Sequence, residues 1–435
     1  QAKTAVDQVL NALFEIATSE DDQDGDEDHQ DFDADDDLSD DDVFTFQGQF
    51  KSKVSSARCI CKVLSFYPDV LLAHFDDVIS LLVSFREGGY GTVGCSIART
   101  LVDIEDSNEQ SLRLINEVLL PFVVGSTSDA ETCGKAFDGL SIILSKSETF
   151  VSEEIFNAIS MALKGELFFQ RERVVYNDVL FNGIRSIFKS LMKLNFFNEI
   201  GQFFSIIQTF MDSKSGGLKD FALNFFSDFV SVPNGIQNLN EELVTSLVQY
   251  ALETVDGYAQ IHFLTKLAKI APDLVTVIVP KIFELITSLV FETSDDDNFT
   301  IKCESIVVEK CVLLLHCLLQ KIQADISPFI PLIIQSTPPS ISISKSGHFY
   351  QLLLWIHEQQ DGSLNQQIAA AAIKLFYEPD YLIIKRKLSN ENLLQIKGLI
   401  RSMAESIPNF NEFCAEVCGN DEFKMSNLNS HAFEE

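Results

Sequence analysis

The residue types that carry out enzyme chemistry are present in this chain, but their spacing does not assemble a catalytic site. The seven histidines are scattered, and no two of them stand one helical turn apart as metal-binding pairs do. His316 lies in an apolar helical pattern beside Cys317, so we expect a core histidine rather than a ligand. The glycine-rich residues 88–91 lack the preceding strand and the lysine of a phosphate-binding loop. The sequence therefore predicts a protein that is not an enzyme and that needs no cofactor.

The nine cysteines do not form a metal-binding pattern either. Their number is odd, no Cys-x-x-Cys pair occurs, and most of them stand in apolar helical segments. Cys414 and Cys418 are one helical turn apart, but no nearby histidine completes a zinc site. We interpret the cysteines as reduced core residues of a cytosolic or nuclear protein.

Carboxylates are the remaining reactive groups, and one block of them is very dense. The net charge of the 435-residue chain is −32, and 15 of the 23 residues from Glu20 to Asp42 are acidic. Like charges at this density repel one another and stay solvated, so we predict an acidic disordered loop over 20–47. Two roles fit it, a solubilising linker or an electrostatic lure for Lys/Arg-rich partners. The loop acids singled out for the second role are Asp35, Asp36, Asp37, Asp40, Asp41 and Asp42.

The rest of the chain has the apolar periodicity of α-helices, with apolar residues every three or four positions. Pro68 and Pro272 fit first helical positions, and Ser152 before two glutamates fits an N-terminal cap. We predict no strand, and we interpret the β-like run 341–343 as a loop. The predicted helices lie near 2–19, 49–66, 69–86, 90–104, 109–124, 129–146, 152–170, 174–194, 197–212, 217–231, 239–254, 257–270, 273–291, 298–322, 325–336, 347–359, 363–376, 390–406 and 409–417.

Pairs of these helices recur about every 40 residues, which is typical of HEAT repeats. One pair cannot bury its apolar face alone, so neighbouring pairs stack. We therefore predict an all-α fold, an α-solenoid of about eight to nine HEAT-type helix pairs forming a right-handed superhelix. Its expected parts are a helix at 1–19 that completes a truncated repeat, the acidic loop at 20–47, the solenoid at 48–418 and a flexible C-terminal tail at 419–435.

Function in such a fold depends on its surface. The second helix of each pair usually lines the concave face, and acids recur on the predicted second helices. They fit either an ordinary solvated face or a ladder of carboxylates that pairs with Lys and Arg of an extended basic segment. Small apolar clefts between the outer helices of adjacent repeats are a second possible binding surface, which the sequence does not locate. The candidate cargo-binding residues are Asp76, Asp77, Glu117, Glu153, Glu154, Glu199, Glu241, Glu242 and Glu284.

A family resemblance begins at the end of the acidic block. Residues 39–46 read SDDDVFTF and residues 51–57 read KSKVSSA. This junction resembles karyopherin-β nuclear import receptors, in particular the large subgroup that carries ribosomal proteins and histones. Residues 325–332 (DISPFIPL), the helix pair over 348–376 and the helix start at 388–392 (LSNEN) are similar to the last repeats of that subgroup.

The resemblance implies the C-terminal part of a receptor that is about twice as long or more and that shuttles between cytoplasm and nucleus. The implied partners are basic cargo proteins with Lys/Arg-rich import signals, Phe-Gly nucleoporins and, through the N-terminal part, Ran-GTP. The acidic body disfavours direct nucleic-acid binding, no apolar run is long enough for a membrane span, and we expect a monomer. Two alternatives stay open: a static HEAT-repeat scaffold, and an acidic chaperone for histones or ribosomal proteins.

Overall fold

The computed structural model describes residues 2–18, 49–87, 91–104, 108–124, 129–164, 178–253, 257–293, 299–337, 347–359, 362–377, 388 and 390–433. The acidic loop predicted at 20–47 and the run 341–343 lie outside these ranges. The chain divides into two compact units, 1–217 and 218–435.

The first unit is helical throughout its described residues. A π-helical turn, Leu114–Leu119, joins α5 to α6, so that 108–124 form one continuous helix, and a 3-10 turn at Glu148–Phe150 precedes α8. Its helices are α1 (Ala2–Thr18), α2 (Gln49–Phe66), α3 (Pro68–Glu87), α4 (Gly91–Ile104), α5 (Asn108–Arg113), α6 (Leu120–Val124), α7 (Ala130–Lys146), α8 (Glu153–Lys164), α9 (Asp178–Lys193), α10 (Phe197–Gly201) and α11 (Phe204–Met211).

The described residues of the second unit are also mostly helical, and two short strands pair among them. A π-helical turn at Leu318–Ile322 extends α17, a 3-10 turn at Ser327–Phe329 leads into α18, and another π-helical turn, Asn429–Phe433, follows α23. The elements are α12 (Gly216–Ser231), which begins at the unit boundary, α13 (Glu241–Glu253), α14 (Tyr258–Ile270), α15 (Pro272–Thr276), α16 (Val279–Val290), β1 (Phe291–Thr293), β2 (Phe299–Ile301), α17 (Ser305–Cys317), α18 (Ile330–Gln335), α19 (His348–Gln359), α20 (Asn365–Tyr377), α21 (Asn390–Ser406), α22 (Phe410–Val417) and α23 (Glu422–Leu428).

Within each unit the helices stack as pairs in two layers. In the first unit the first helices α2, α4, α7 and α9 pack side by side, while α1, α3 and the continuous helix over 108–124 form a second layer that α8 extends. In the second unit α14, α17, α19 and α21 form the first-helix layer. In the second-helix layer of this unit α13 packs on α16 and α18 packs on α20. Helices α22 and α23 also contact α20. The predicted all-α solenoid of helix pairs is confirmed.

The crossing of α7 and α9 depends on two glycines. A Cβ atom at Gly134 would overlap the carbonyl oxygen of Val179, and one at Gly183 would overlap the carbonyl oxygen of Gly134. Both obstacles are backbone atoms, which cannot rotate away. Glycine is needed here because any side chain would push the two helices apart.

Phenylalanine fills the space between helices, as expected for a chain with 36 of them. On α12, Phe225, Phe226 and Phe229 are fully buried. The ring centroid of Phe225 lies 5.0 Å from that of Phe226 and 6.1 Å from that of Phe229. Aromatic rings at such spacing contribute beyond their buried area. The dense stripe at 221–229 is therefore a core stripe.

Two predicted segments differ from the structure. The predicted helices 273–291 and 298–322 include residue 291 and residues 299–301. In the structure Phe291–Thr293 instead pairs as an antiparallel strand with Phe299–Ile301. Aromatic and β-branched residues favour strands, and the acidic sequence between them, SDDDN, does not favour a continuing helix. Strands of three residues are too short to show the alternation by which strands are recognised in a sequence.

The second correction concerns the predicted flexible tail at 419–435. Its residues 422–433 are helical and pack on α20, with the final π-helical turn also contacting α21. Leu428 and Ala432, four positions apart, are buried, and the Asp421 carboxylate caps α23 by accepting from the backbone N–H groups of Phe423 and Lys424. The apolar stripe and the cap together hold this segment against the last repeats.

Candidate functional site

All nine candidate carboxylates lie on second helices of the pairs and are exposed. They are spread over successive repeats rather than gathered in one cluster. Asp76 and Asp77 lie on α3, Glu117 on the π-helical turn, Glu153 and Glu154 on α8, Glu199 on α10, Glu241 and Glu242 on α13, and Glu284 on α16.

Asp76 and Glu117 share one internal cation, Arg113. Its Nη1 donates to Asp76 Oδ1 at 2.6 Å, and its Nε donates to Glu117 Oε1 at 2.8 Å. The guanidinium also lies 5.4 Å from the ring centroid of Phe75. The hydrogen bonds to Glu117 and Asp76 raise the pKa of Arg113 above its ordinary value. This ion bridge joins two adjacent second helices, so a basic ligand must compete with Arg113 for these two carboxylates.

Asp77 is held in a similar way by His74. The ring nitrogens of His74 lie 3.1 Å from Asp77 Oδ2 and 3.4 Å from Asp7 Oδ1, and the ring stacks on Phe14 with centroids 5.9 Å apart. These contacts tie α3 to α1. Asp77 therefore has a structural partner of its own.

Five other candidate acids occupy the first turns of helices: Glu153 and Glu154 on α8, Glu199 on α10, and Glu241 and Glu242 on α13. A carboxylate in the first turn is stabilised by the unpaired N–H groups there. A hydrogen bond from Ser152, in front of α8 as the sequence predicts, lowers the pKa of Glu154. Their positions thus explain these acids structurally, and all five still project a negative charge into solvent.

Glu284 differs from the other eight because it borders a cleft. The cleft is an open surface depression of about 570 Å³ between α16 and the 3-10 turn that precedes α18, two consecutive second-helix segments. The expected apolar clefts were between outer helices, whereas this one is in the second-helix layer. Among the described residues Glu284 has no cationic partner. The cleft is lined mostly by apolar surface from Pro280, Phe283, Glu284, Thr287, Ser288, Pro328 and Phe329.

Aromatic rings and prolines form the cleft walls. The rings of Phe283 and Phe329 lie 5.1 Å apart, and Phe329 is buried. Pro280 and Pro328 stand at the starts of their helices, where the fixed φ of proline suits the first turn. Thr287 Oγ1 donates to the carbonyl oxygen of Phe283 at 2.8 Å, so this hydroxyl is already used within its own helix.

The titratable groups in the core do not resemble a catalytic site. His316 is buried as predicted, 4.4 Å from His348 between ring centroids, and burial lowers its pKa to about 4, with further lowering from His348 and Lys269. Seven of the nine cysteines are buried and all nine are free. Burial raises the pKa of the Cys133 thiol to about 11, so it stays protonated and unreactive at neutral pH.

Within the described ranges, no three His, Cys, Asp or Glu side chains are placed to hold a metal ion. None of the described helices combines the length and the apolar character that crossing a bilayer requires. The six acidic-loop candidates, Asp35, Asp36, Asp37, Asp40, Asp41 and Asp42, lie outside the described residues.

Sequence reasoning missed the partners of these carboxylates. Arg113 stands four residues before Glu117, a spacing that indicates an ion pair on one helix. The contact of Arg113 with Asp76 requires the register between two helices, which no local pattern contains. The cleft had a weak signal, since a proline opens each of the two segments and Phe283 or Phe329 follows within three residues.

Comparison with known proteins supports the fold and leaves the family open. No protein-family model matches the sequence, and no curated protein matches it. A solved structure of the karyopherin Kap121p, bound to the extreme C-terminus of the protein phosphatase Cdc14p, matches with a TM-score of 0.60 and 13% identity over 88% of this chain. The match covers 37% of that chain, so this protein spans well under half the length of its structural neighbour.

A second match is an engineered protein, with a TM-score of 0.40 and 10% identity, covering 97% of this chain and 99% of that one. Its similarity is too low to support an inference. The chain therefore has a karyopherin-like helical solenoid fold.

Proposed function

We propose that this chain is part of a karyopherin-type nuclear transport receptor and binds extended basic segments of cargo proteins. The observation that carries the proposal is that each unit of a karyopherin-like solenoid has exposed carboxylates on its second helices. The similar protein Kap121p is bound to the extreme C-terminus of another protein, which supports a peptide-binding role for this fold.

The available charges decide what kind of segment would bind. Glu241, Glu242 and Glu284 are exposed second-helix acids of the second unit, and the net charge of the chain is −32. Each Lys or Arg that pairs with an exposed carboxylate contributes about 0.2–1 kcal/mol, so useful affinity requires several pairs along an extended peptide. The acidic body also accelerates the approach of a basic partner, and salt screens this effect.

The wider functions belong to the proposal as well. A receptor of this kind would shuttle between cytoplasm and nucleus, contact Phe-Gly nucleoporins during passage, and release cargo when Ran-GTP binds another part of the protein. Neighbouring repeats contact mainly one another, so small changes at each repeat add up along a solenoid. A partner that binds one curvature better than another would thereby change cargo affinity.

The test is a titration of the full chain with a fluorescent Lys/Arg-rich peptide at low and at physiological salt, with residues 20–42 present or deleted. The proposal predicts binding that weakens as salt rises and that survives the deletion. Absence of binding to both proteins at low salt would refute it for this chain and would favour the static scaffold.

One observation favours a second candidate function, an acidic chaperone for histones or ribosomal proteins. Fifteen acidic residues between Glu20 and Asp42 form a charge block dense enough to bind basic proteins by itself. In that case deletion of 20–42 abolishes peptide binding and leaves the helical circular dichroism spectrum unchanged. Binding that survives the deletion rules out the loop as the main site.

A further inference from the structure

The cleft beside Glu284 combines apolar and charged surface. Its walls are formed by Phe283, Phe329 and two prolines, and its rim carries a carboxylate without a cationic partner among the described residues. Its volume is about 570 Å³, and it is open to solvent on one side. A cleft of this size accommodates one or two side chains of a bound peptide.

The polar groups of the cleft define its preference further. The hydroxyls of Thr287 and Ser288 donate to the carbonyl oxygens of Phe283 and Leu285, at 2.8 Å and 2.9 Å. Their donor capacity is thereby used within α16, and the proline nitrogens carry no hydrogen to donate. The main polar group left for a ligand is the Glu284 carboxylate, which accepts hydrogen bonds and attracts a cation.

An uncharged apolar occupant would fit this cleft poorly. It would cover part of the surface around Glu284, remove water from the carboxylate and leave the charge unpaired, which costs free energy. An occupant that places a cation next to its apolar group gains the aromatic contact and also neutralises Glu284. Aromatic side chains suit the Phe283–Phe329 wall because offset rings attract one another beyond their buried area.

We propose that this cleft binds a protein segment in which an aromatic side chain stands directly beside a lysine or arginine, with the aromatic ring against Phe283 and Phe329 and the cation at Glu284. The proposal rests on the proposed function, since the bound segment is part of the basic cargo, and it adds a sequence requirement to it. The carboxylate ladder recognises charge alone, whereas the cleft distinguishes basic segments that carry an adjacent aromatic residue from those that do not.

The experiment uses three synthetic peptides of equal length in a Gly/Ser background, titrated into the full chain by fluorescence anisotropy at low salt. The first carries two Phe-Lys pairs, the second carries Ala-Lys pairs, and the third carries Phe-Gln pairs. We expect the Phe-Lys peptide to bind about fivefold or more tightly than either of the others. Equal affinity of the Phe-Gln peptide would overturn the role of the cation, and equal affinity of the Ala-Lys peptide would overturn the role of the ring.

Two variants locate the binding to the cleft. Glu284→Gln keeps the shape of the side chain and removes its charge, and we expect it to lower the affinity for the Phe-Lys peptide about fivefold while barely changing that for Phe-Gln. Thr287→Trp, at an exposed position of the lining, fills the cleft, and we expect at least a tenfold loss for both Phe-containing peptides. The matched control is Glu391→Gln, an exposed first-turn glutamate on the first-helix layer, which should bind like the unmodified chain.

These results separate failure of the cleft from failure of the proposed function. If Thr287→Trp keeps its circular dichroism spectrum and binds the Phe-Lys peptide unchanged, the cleft is not the site, although binding of a Lys/Arg-rich peptide still supports the receptor proposal. If no basic peptide binds the unmodified chain, both proposals are wrong.

Discussion

Substitution of Gly183 by alanine tests the packing of the solenoid most sharply. In an exposed helix, alanine is about 1 kcal/mol more favourable than glycine, so helix propensity alone predicts stabilisation. In this structure the new Cβ would overlap the carbonyl oxygen of Gly134 on the neighbouring helix α7. The obstacle is backbone, so relief requires α7 and α9 to separate, and overpacking of this kind costs about 1–3 kcal/mol. Because the backbone oxygen cannot rotate aside, we expect the upper end of this cost, about 3 kcal/mol, so that after the propensity gain of about 1 kcal/mol Gly183→Ala lowers the unfolding free energy by about 2 kcal/mol.

The matched control is Gly398→Ala on α21, where a new Cβ meets nothing within 4 Å. There the propensity gain is unopposed, and we expect stabilisation by about 0.5–1 kcal/mol. Urea denaturation followed by circular dichroism gives both values, and a thermal scan should show a Tm about 4–8 °C lower for Gly183→Ala. If Gly183→Ala were as stable as the unmodified chain, the close crossing of α7 and α9 would be wrong.

Three further substitutions probe charge, protonation and the C-terminal helices. Arg113→Met releases the carboxylates of Asp76 and Glu117, and we expect it to raise the affinity for a Lys/Arg-rich peptide about threefold at low salt. Unchanged affinity would mean that these two carboxylates do not bind the peptide. The pKa of His316 is about 4 in the folded state and near 6.5 in the unfolded state. Between these pH values the unfolded state binds more protons, so the free energy of unfolding should fall by about 2 kcal/mol from pH 7 to pH 5. In urea titrations at the two pH values His316→Gln should lose this decrease in stability, and an unchanged pH dependence in that variant would refute the assignment to His316. Leu428→Ala, at a fully buried position, should lower the free energy of unfolding by about 2–3 kcal/mol in chemical denaturation. The control Leu394→Ala, at an exposed position, should lower it by less than about 0.5 kcal/mol. No loss of stability in Leu428→Ala would support the flexible tail that the sequence predicted.

Helix positions could be predicted from the sequence because they depend on local periodicity. The helices predicted at 49–66 and 390–406 have those bounds in the structure, and Pro68 begins α3 as expected. The pairing of Phe291–Thr293 with Phe299–Ile301 was missed because strands of three residues are too short to show a recognisable alternation. The helical C-terminus was missed because the burial of Leu428 depends on distant repeats rather than on its neighbours in sequence.

The candidate surface was only partly predictable for the same reason. Counting helices in pairs places Glu241 and Glu284 on second helices, and the structure has them there. Which carboxylates are already neutralised depends on the register between helices, as in the bridge from Arg113 to Asp76. The cleft depends on how far α16 stands from the next second-helix segment, a distance that no local pattern contains.

The central claim is that the second-helix face binds basic segments. Its most direct test compares two triple variants of the second unit that change the net charge equally. One is Glu241→Gln, Glu242→Gln and Glu284→Gln on the second-helix layer; the other is Glu358→Gln, Glu391→Gln and Glu405→Gln, exposed acids of the first-helix layer.

The measured quantity is the Kd of a Lys/Arg-rich peptide at low salt. Three lost pairs at about 0.5 kcal/mol each predict an approximately tenfold weaker Kd for the second-helix variant and little change for the first-helix variant. Equal Kd values for the two variants would contradict the account, because the peptide would then respond to overall charge rather than to one face of the solenoid.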